Sequence, residues 1–238
     1  MIRKQLMLKD PLKHLILKTD AEPSGEFCAV IARPGVGKTA FLVQIALSAM
    51  LTGKKVLHIS VQDPVDKVNL WYVELFQKIA SSLITDPQNG LWEELLTQRF
   101  IMTFETESFR FDKLERRITE LRAQTVFVPD IVIVDGLSVD SSIFEKLGRL
   151  KTFAADNAMT FWFSVGRTGE SSAVLNITEE FGENFNVLFD VVFWMVPEKN
   201  RILVKRHGDP QRIAQHQPAI CLDPSTMMIQ ECNSFPKT

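Results

Sequence analysis

Apolar runs and periodically spaced apolar residues alternate along the first two thirds of the chain. The short runs, each bounded by polar residues or glycine, predict buried strands, and apolar residues three and four positions apart in the intervening segments predict helices. The strand-like stretches are EFCAVIA (26–32), KKVLHIS (54–60), RFIMTFE (99–105), PDIVIVDGLSVD (129–140) and MTFWFSVGR (159–167). Strands that alternate with helices in this way indicate an α/β fold with a mostly parallel sheet flanked by helices.

The carboxyl-terminal part of the chain has a different pattern. Two strand-like runs flank the turn PEKN (197–200), which predicts a β-hairpin, and PAICLD (218–223) and TMMIQE (226–231) predict short strands. We therefore expect the sheet to end in an antiparallel β-hairpin extension. Residues 168–186 are polar and have no clear period, so we predict a mobile loop beside the functional site.

The length of 238 residues suits one large domain or a domain with a small appendage. We expect residues 23–238 to form this domain and residues 1–22 to form an N-terminal arm or short helix, because leucines alternate with lysines there. We expect such an arm to cover the domain or to contact another subunit. The alternative is that its lysines bind nucleic acid or a membrane surface.

The segment between the first strand and the first helix is IARPGVGKTAF (31–41), which fits the phosphate-binding loop, or Walker A motif, with alanine at its first position. Two glycines allow the backbone to approach phosphate oxygens, the lysine supplies a mobile charge, and the threonine hydroxyl can bind Mg²⁺. The residues predicted to bind nucleotide phosphate are Ala32, Arg33, Pro34, Gly35, Val36, Gly37, Lys38, Thr39 and Ala40.

Asp135 ends an apolar strand and is followed at once by Gly136. Ligands of parallel sheets bind at the carboxyl ends of the strands, so we expect this carboxylate to reach the Mg²⁺ held by Thr39, directly or through water. It would then be the Walker B residue. The alternative is that Asp135 only caps the next element or begins an Asp-Gly turn.

The net charge and the cysteines indicate which binding partners and which cellular compartment to expect. The net charge of −2 and the pI of about 6.1 give no overall positive field, so the charge balance does not support single-stranded DNA as a partner. Cys28, Cys221 and Cys232 are scattered and odd in number, which predicts neither a disulfide framework nor a zinc site. No run approaches the ~20 apolar residues that span a bilayer. These features favour a cytoplasmic protein.

The stretch SGEFCAVIARPGVGKTAFLVQIALSAMLTGKKVLHISVQ (24–62) resembles the motor domain of DnaB-type replicative helicases and, more broadly, the RecA and KaiC ATPases. The resemblance is close over this stretch and lies at the level of pattern over 126–168 and 187–209. It implies a RecA-like P-loop core in which the Walker B strand is not adjacent to the loop strand. It also implies ATP with Mg²⁺, and frequently a ring of six subunits with the sites at subunit borders.

The resemblance assigns a catalytic place to the end of the second strand, where the family usually presents a glutamate that polarises the attacking water. Here that place is taken by Gln62. An amide can orient water but cannot accept its proton, and removal of such a base typically costs about 10²–10⁴ in rate. Asp63 could take the place of this glutamate if the end of the strand is shifted by one residue. Its side chain should, however, point to the opposite face of the sheet from that of Gln62 if the strand continues.

Two further places follow from the resemblance. VKRHG (204–208) is similar to a family strand end whose lysine and arginine reach the γ-phosphate of the neighbouring subunit. Lys205 and Arg206 are adjacent here, without the usual one-residue gap, so ordinary surface ion pairs remain the alternative. Ser164 occupies the place of a polar side chain that senses the γ-phosphate, and Arg167 could serve similarly.

The leading hypothesis is a protein that binds ATP and Mg²⁺, hydrolyses ATP slowly or conditionally, and uses it as a conformational or assembly ligand. It would be a homo-oligomer, with hexamers as one form, and would act on a protein partner that the sequence does not identify. The first alternative is a DNA-handling, helicase-like motor or loader accessory. The second is a small-molecule phosphotransferase on the same loop.

Overall fold

The computed structural model of the protein describes residues 2–12, 25–81, 90–105, 109–137, 143–166, 183–207 and 220–232. In this part of the chain the strands are β1 (Phe27–Ala32), β2 (Val56–Ser60), β3 (Arg99–Thr103), β4 (Ile131–Leu137), β5 (Thr160–Gly166), β6 (Val191–Pro197), β7 (Ile202–His207), β8 (Ile220–Leu222) and β9 (Ile229–Glu231). The helices are α1 (Ile2–Lys9), α2 (Lys38–Leu51), α3 (Val65–Ser81), α4 (Leu91–Leu96), α5 (Phe111–Ala123), α6 (Ile143–Asp156) and α7 (Glu183–Leu188). Every stretch predicted as a strand contains one.

The strands form one nine-stranded sheet in the order β3-β2-β4-β5-β1-β6-β7-β8-β9. Neighbouring strands from β3 to β6 run parallel, whereas the pairs from β6 to β9 are antiparallel. The predicted α/β class, mostly parallel sheet and antiparallel carboxyl-terminal strands are therefore confirmed. Because β5 lies between β1 and β4, the strand that carries Asp135 is not adjacent to the strand before the phosphate loop, as the resemblance implies.

Apolar side chains cover both faces of the sheet, which explains why its strands are continuous apolar runs. One face packs against α1–α4 and the other against α5–α7. α2 is buried from Ala40 to Leu51 because it is enclosed by the sheet, α1, α3 and α4. This position requires a helix that is apolar on all sides. Within the described part of the chain, no helix is both long and apolar enough to cross a membrane.

The N-terminal segment forms a short helix, and its described residues pack on the domain. Arg3 donates hydrogen bonds to the carbonyl oxygens of Met50 and Leu51, at 2.7 and 2.8 Å, and so caps the carboxyl end of α2. Leu6 and Leu12 are buried against the same helix layer. Residues 13–22 of the predicted arm lie outside the described residues.

The structure corrects part of the loop predicted at 168–186. α7 begins at Glu183 and continues to Leu188, so the last four residues of that stretch are helical. Phe185 and Leu188 of α7 are buried against α6 and the sheet. Tertiary packing stabilises this helix, since six residues are too few to show a period in the sequence. Residues 168–182 lie outside the described residues.

A disulfide joins Cys221 of β8 to Cys232, the residue after β9. The scattered, odd-numbered cysteines had indicated no disulfide framework, and this single disulfide was not predicted. The two cysteines are 11 residues apart in sequence, but the antiparallel pairing of β8 with β9 brings their Cα atoms to 5.2 Å. That separation is normal for a disulfide. Cys28 lies buried in β1, as predicted.

Candidate phosphate-binding site

The predicted phosphate loop joins the carboxyl end of β1 to the first residue of α2. Gly35 and Gly37 have φ angles of 79° and 100°, a left-handed backbone that glycine adopts without steric cost. Within the described residues, no acceptor bonds to the backbone N–H groups of residues 37–40. Unpartnered N–H groups at the positive end of a 14-residue helix form the kind of site that binds phosphate.

The carboxyl-terminal strands pack directly against the loop at Gly37. A Cβ atom at this position would lie 2.7 Å from Leu222 Cδ2 and 3.2 Å from Met227 Sδ. Gln44 of α2 holds the same region, because its Nε2 donates to Met227 O and its Oε1 accepts from Ile229 N–H, each at 2.8 Å. The loop conformation is therefore stabilised by the hairpin that ends the sheet.

Lys38 is the first residue of α2, and its ammonium group folds back over the loop. Nζ donates to Ala32 O at 2.9 Å and to Arg33 O at 3.1 Å. Burial lowers the pKa of Lys38, and the negative charge of Asp135 opposes this shift. The loop thus holds a half-buried amine beside its unpartnered N–H groups, in a position to exchange two carbonyl oxygens for a phosphate oxygen.

Thr39, Asp135 and Ser164 come together at the carboxyl edge of the sheet, as predicted from their positions at the ends of β4 and β5 and the start of α2. Thr39 Oγ1 donates to Asp135 Oδ2 at 2.7 Å, although the two residues are 96 positions apart. Ser164 Oγ donates to Asp135 Oδ1. Asp135 is buried, and each oxygen of its carboxylate accepts one hydrogen bond from a hydroxyl group.

Gly136 has a part in the site that was not predicted from the sequence. This residue has φ of 95° and lies where the register between β4 and β5 shifts, between Val134 and Leu137. Its N–H donates to Ser164 Oγ at 2.7 Å. The Asp-Gly pair in the sequence was a signal for an irregular backbone, but nothing in the sequence indicates which hydroxyl its N–H meets.

Gln62 and Asp63 follow β2, and their side chains have different surroundings. The Gln62 side chain is exposed and lies against Gly136, where a Cβ atom would be 3.0 Å from Gln62 Cγ. Asp63 Oδ1 forms an ion pair with Lys67 Nζ at 2.8 Å, and its N–H donates to Ser60 Oγ. Gln62 therefore lies next to Asp135 and Gly136 at the end of β4. The Asp63 carboxylate is instead paired with Lys67 of α3.

Lys205 and Arg206 are not brought to the phosphate loop of the same chain. Arg206 pairs with Phe193 of β6, which in turn pairs with Val30 in the middle of β1. Because β7 runs antiparallel to β1 and β6, its carboxyl end points to the edge of the sheet opposite the loop. Arg167, the other cation considered for the site, lies outside the described residues.

A second polar cluster lies in the core behind the site and was also missed. His58 of β2 is fully buried, and its Nδ1 is 2.9 Å from the hydroxyl of Tyr72 on α3. The guanidinium of Arg99 lies over the Tyr72 ring, 4.3 Å from its centroid. His58 Nε2 has no hydrogen-bond partner among the described residues. A histidine inside an apolar strand sequence gives no indication of such contacts.

The donors gathered at this edge fit a phosphate ester together with a hard divalent cation. Backbone N–H groups and an amine suit phosphate oxygens, and the hydroxyl and carboxylate oxygens of Thr39 and Asp135 suit Mg²⁺. The sequence matches no protein-family model and no curated protein.

Proposed function

We propose that this protein is a RecA-like P-loop protein that binds ATP with Mg²⁺ and holds it as a conformational or assembly ligand. The observation that carries the proposal is the 2.7 Å hydrogen bond between Thr39 and Asp135. It joins the two oxygen ligands expected of a nucleotide-bound magnesium directly beside the unpartnered N–H groups of the loop. A glycine-rich turn without a ligand has no need for a buried carboxylate at this position.

Each residue of the site has a separate task in this proposal. Lys38 and the N–H groups of residues 37–40 bind the outer phosphates, and Thr39 and Asp135 hold the cation. Gly35 and Gly37 supply the left-handed backbone that turns the N–H groups of the loop toward the phosphates. When bound, Mg²⁺ offsets phosphate charge and orients the terminal phosphate. The helicase-like sequence of residues 24–62 supports ATP as the nucleotide.

Slow turnover is proposed because the described site offers a water-orienting amide and not a base. Gln62 stands next to Asp135–Gly136, while the Asp63 carboxylate is paired with Lys67. An amide positions water without accepting its proton, so the hydrolysis rate should be lower by the 10²–10⁴ that a general base typically contributes. ATP would then act mainly by stabilising the conformation that binds it best.

A homo-oligomer with sites at subunit borders is part of the proposal, with a hexamer as the form that the resemblance suggests. In such an assembly Lys205 and Arg206, on the half of β7 away from the loop, would meet the phosphate of a neighbouring copy of the chain. An arginine delivered in this way can raise the rate of hydrolysis by about 10³–10⁵. Sedimentation with and without ATP tests whether the nucleotide drives assembly.

Calorimetric titration with ATP tests the binding proposal. We expect wild type to bind ATP more tightly with Mg²⁺ than with a chelator, and Lys38→Ala to lose most of the affinity. Lys54→Ala is the matched control, since Lys54 follows the other end of α2. Unchanged affinity in Lys38→Ala, or equal losses in both variants, would show that the loop does not hold the nucleotide.

A further inference from the structure

The resemblance gives Ser164 the task of sensing a phosphate, but its contacts point to a different one. The residue is 1% exposed, and its hydroxyl is already hydrogen-bonded on both sides. Oγ accepts a hydrogen bond from Gly136 N–H at 2.7 Å and donates its only proton to Asp135 Oδ1. A hydroxyl with one proton can donate in only one direction at a time. Its proton is therefore committed to the carboxylate.

The direction of these bonds follows from the chemistry of the groups. A backbone N–H can only donate, so Ser164 Oγ must be the acceptor of the bond from Gly136. A carboxylate only accepts, so the serine proton must point at Asp135. The chain of bonds from Gly136 through Ser164 to Asp135 thus has a single polarity, which fixes the rotation of the serine hydroxyl.

The Asp135 carboxylate is clamped between two donors that belong to different elements. Thr39 at the start of α2 bonds Oδ2, and Ser164 at the end of β5 bonds Oδ1. Without the Ser164 hydroxyl, the carboxylate plane could rotate about its Cβ–Cγ bond, and the half-buried Gly136 N–H would lose its acceptor. The lone pairs of Asp135 that face the phosphate loop would then no longer have a fixed direction.

We propose that Ser164 is a positioning residue for the magnesium-holding carboxylate Asp135, and that it sets the affinity of the site for Mg²⁺ more than for the nucleotide itself. This inference rests on the proposed function, because it assumes that Asp135 serves a nucleotide-bound cation. Groups that hydrogen-bond a metal ligand typically contribute 10–100-fold to metal affinity. Loss of the Ser164 hydroxyl should therefore weaken Mg²⁺ binding at least about tenfold.

The site supplies a closely matched control in Ser60. This serine ends β2, the other strand next to β4, and pairs in register with Asp135. It is 2% exposed, and its Oγ accepts a backbone N–H, that of Asp63, at 2.8 Å. Ser60→Ala therefore removes the same buried hydroxyl from the same edge of the sheet without removing a hydrogen bond to the Asp135 carboxylate.

Fluorescent ATP binding, followed while Mg²⁺ is titrated, tests the inference in wild type, Ser164→Ala and Ser60→Ala. Ser164→Ala should raise the Mg²⁺ concentration at which ATP binding is half-maximally enhanced by about tenfold or more. The affinity for ATP measured with a chelator present should change little. Ser60→Ala should stay within about twofold of wild type, since no bond to a metal ligand is lost. If Ser164→Ala does not fold, Ser164→Cys, which keeps side-chain volume with a much weaker donor, replaces it.

Two results would overturn the inference while leaving nucleotide binding intact. One is a Mg²⁺ midpoint for Ser164→Ala that matches wild type, and the other is an equal rise in both serine variants. If Ser164→Ala lowers affinity equally with Mg²⁺ and with chelator, Ser164 contacts the nucleotide and the positioning role is also refuted. Failure of the wild type to bind ATP at all would instead refute the proposed function, and this inference with it.

Discussion

Acidification from pH 7 to pH 5 is expected to destabilise the fold through His58. Burial lowers the pKa of this imidazole from 6.5 to about 4, with Arg99 adding to the effect and Asp135 opposing it. Protonation would place a charge in the core and leave Nε2–H without an acceptor, while Nδ1 is engaged by the Tyr72 hydroxyl. The neutral imidazole is therefore the form that the folded state favours.

The size and sign of the effect follow from the two pKa values. Because the pKa of His58 is lower in the folded state, the unfolded chain binds more protons as the pH falls. The contribution of the neutral His58 to the free energy of unfolding is therefore fully present above pH 6.5 and is lost as the pH falls toward 4. The two pKa values differ by about 2.5, and at about 1.4 kcal/mol per pKa unit the total loss of unfolding free energy is about 3.5 kcal/mol. About 2 kcal/mol of this should already be lost at pH 5.

Urea unfolding at pH 7 and pH 5, in wild type and His58→Asn, measures this loss. Asparagine keeps a polar atom near the place of Nδ1, facing Tyr72, but does not titrate. The acid-induced loss of unfolding free energy should be about 2 kcal/mol larger in wild type than in the variant, because other titrating groups cancel in the difference. Equal losses in the two proteins would refute the reasoning.

Two more predictions concern the phosphate loop and the hairpin that packs on it. Gly37→Ala should destabilise the protein by more than the roughly 1–2 kcal/mol that a left-handed alanine costs, because its Cβ meets Leu222, whereas Gly35→Ala should cost only that amount. Thermal unfolding of the two variants checks the difference, and equal midpoints would contradict it. Reduction of the Cys221–Cys232 disulfide by a dithiol should lower stability by about 3 kcal/mol, as loop-closure entropy predicts for a loop of this length. Cys232→Ser should match the reduced protein and be insensitive to the dithiol; an unchanged stability on reduction would refute the prediction.

The elements of this fold were predictable where the sequence carries a strong local pattern. β1, the loop and α2 follow one another as an apolar run, a glycine-rich turn and an apolar helix, and β1 lies within the predicted stretch 26–32. The insertion of β5 between β1 and β4 could not be read from periodicity, because hydrophobic pattern specifies burial but not strand order. That order was expected only from the resemblance.

The sequence predicted which residues form the candidate site, but not the hydrogen bonds between them. Strand ends converge at one edge, so Thr39, Asp135 and Ser164 could be placed together from the alternation of elements. The hydrogen bond from Gly136 to Ser164 depends on one extra residue in β4, because Asp135 and Gly136 together lie opposite Ser164 of β5. The sequence does not specify which residue of the neighbouring strand lies opposite such a bulge. The Cys221–Cys232 disulfide was missed for a similar reason, since it depends on the register of two three-residue strands.

The central claim is that the nucleotide is held and turned over slowly, and ATP binding measured beside steady-state hydrolysis tests it most directly. Wild type should bind ATP with Mg²⁺ and hydrolyse it at a rate near the detection limit, while Lys38→Ala should lose binding. Gln62→Glu should raise hydrolysis by about 10²-fold or more, because it places a carboxylate beside Asp135–Gly136. Rapid hydrolysis by the wild type that Gln62→Glu does not increase would contradict the claim and identify this protein as a working motor.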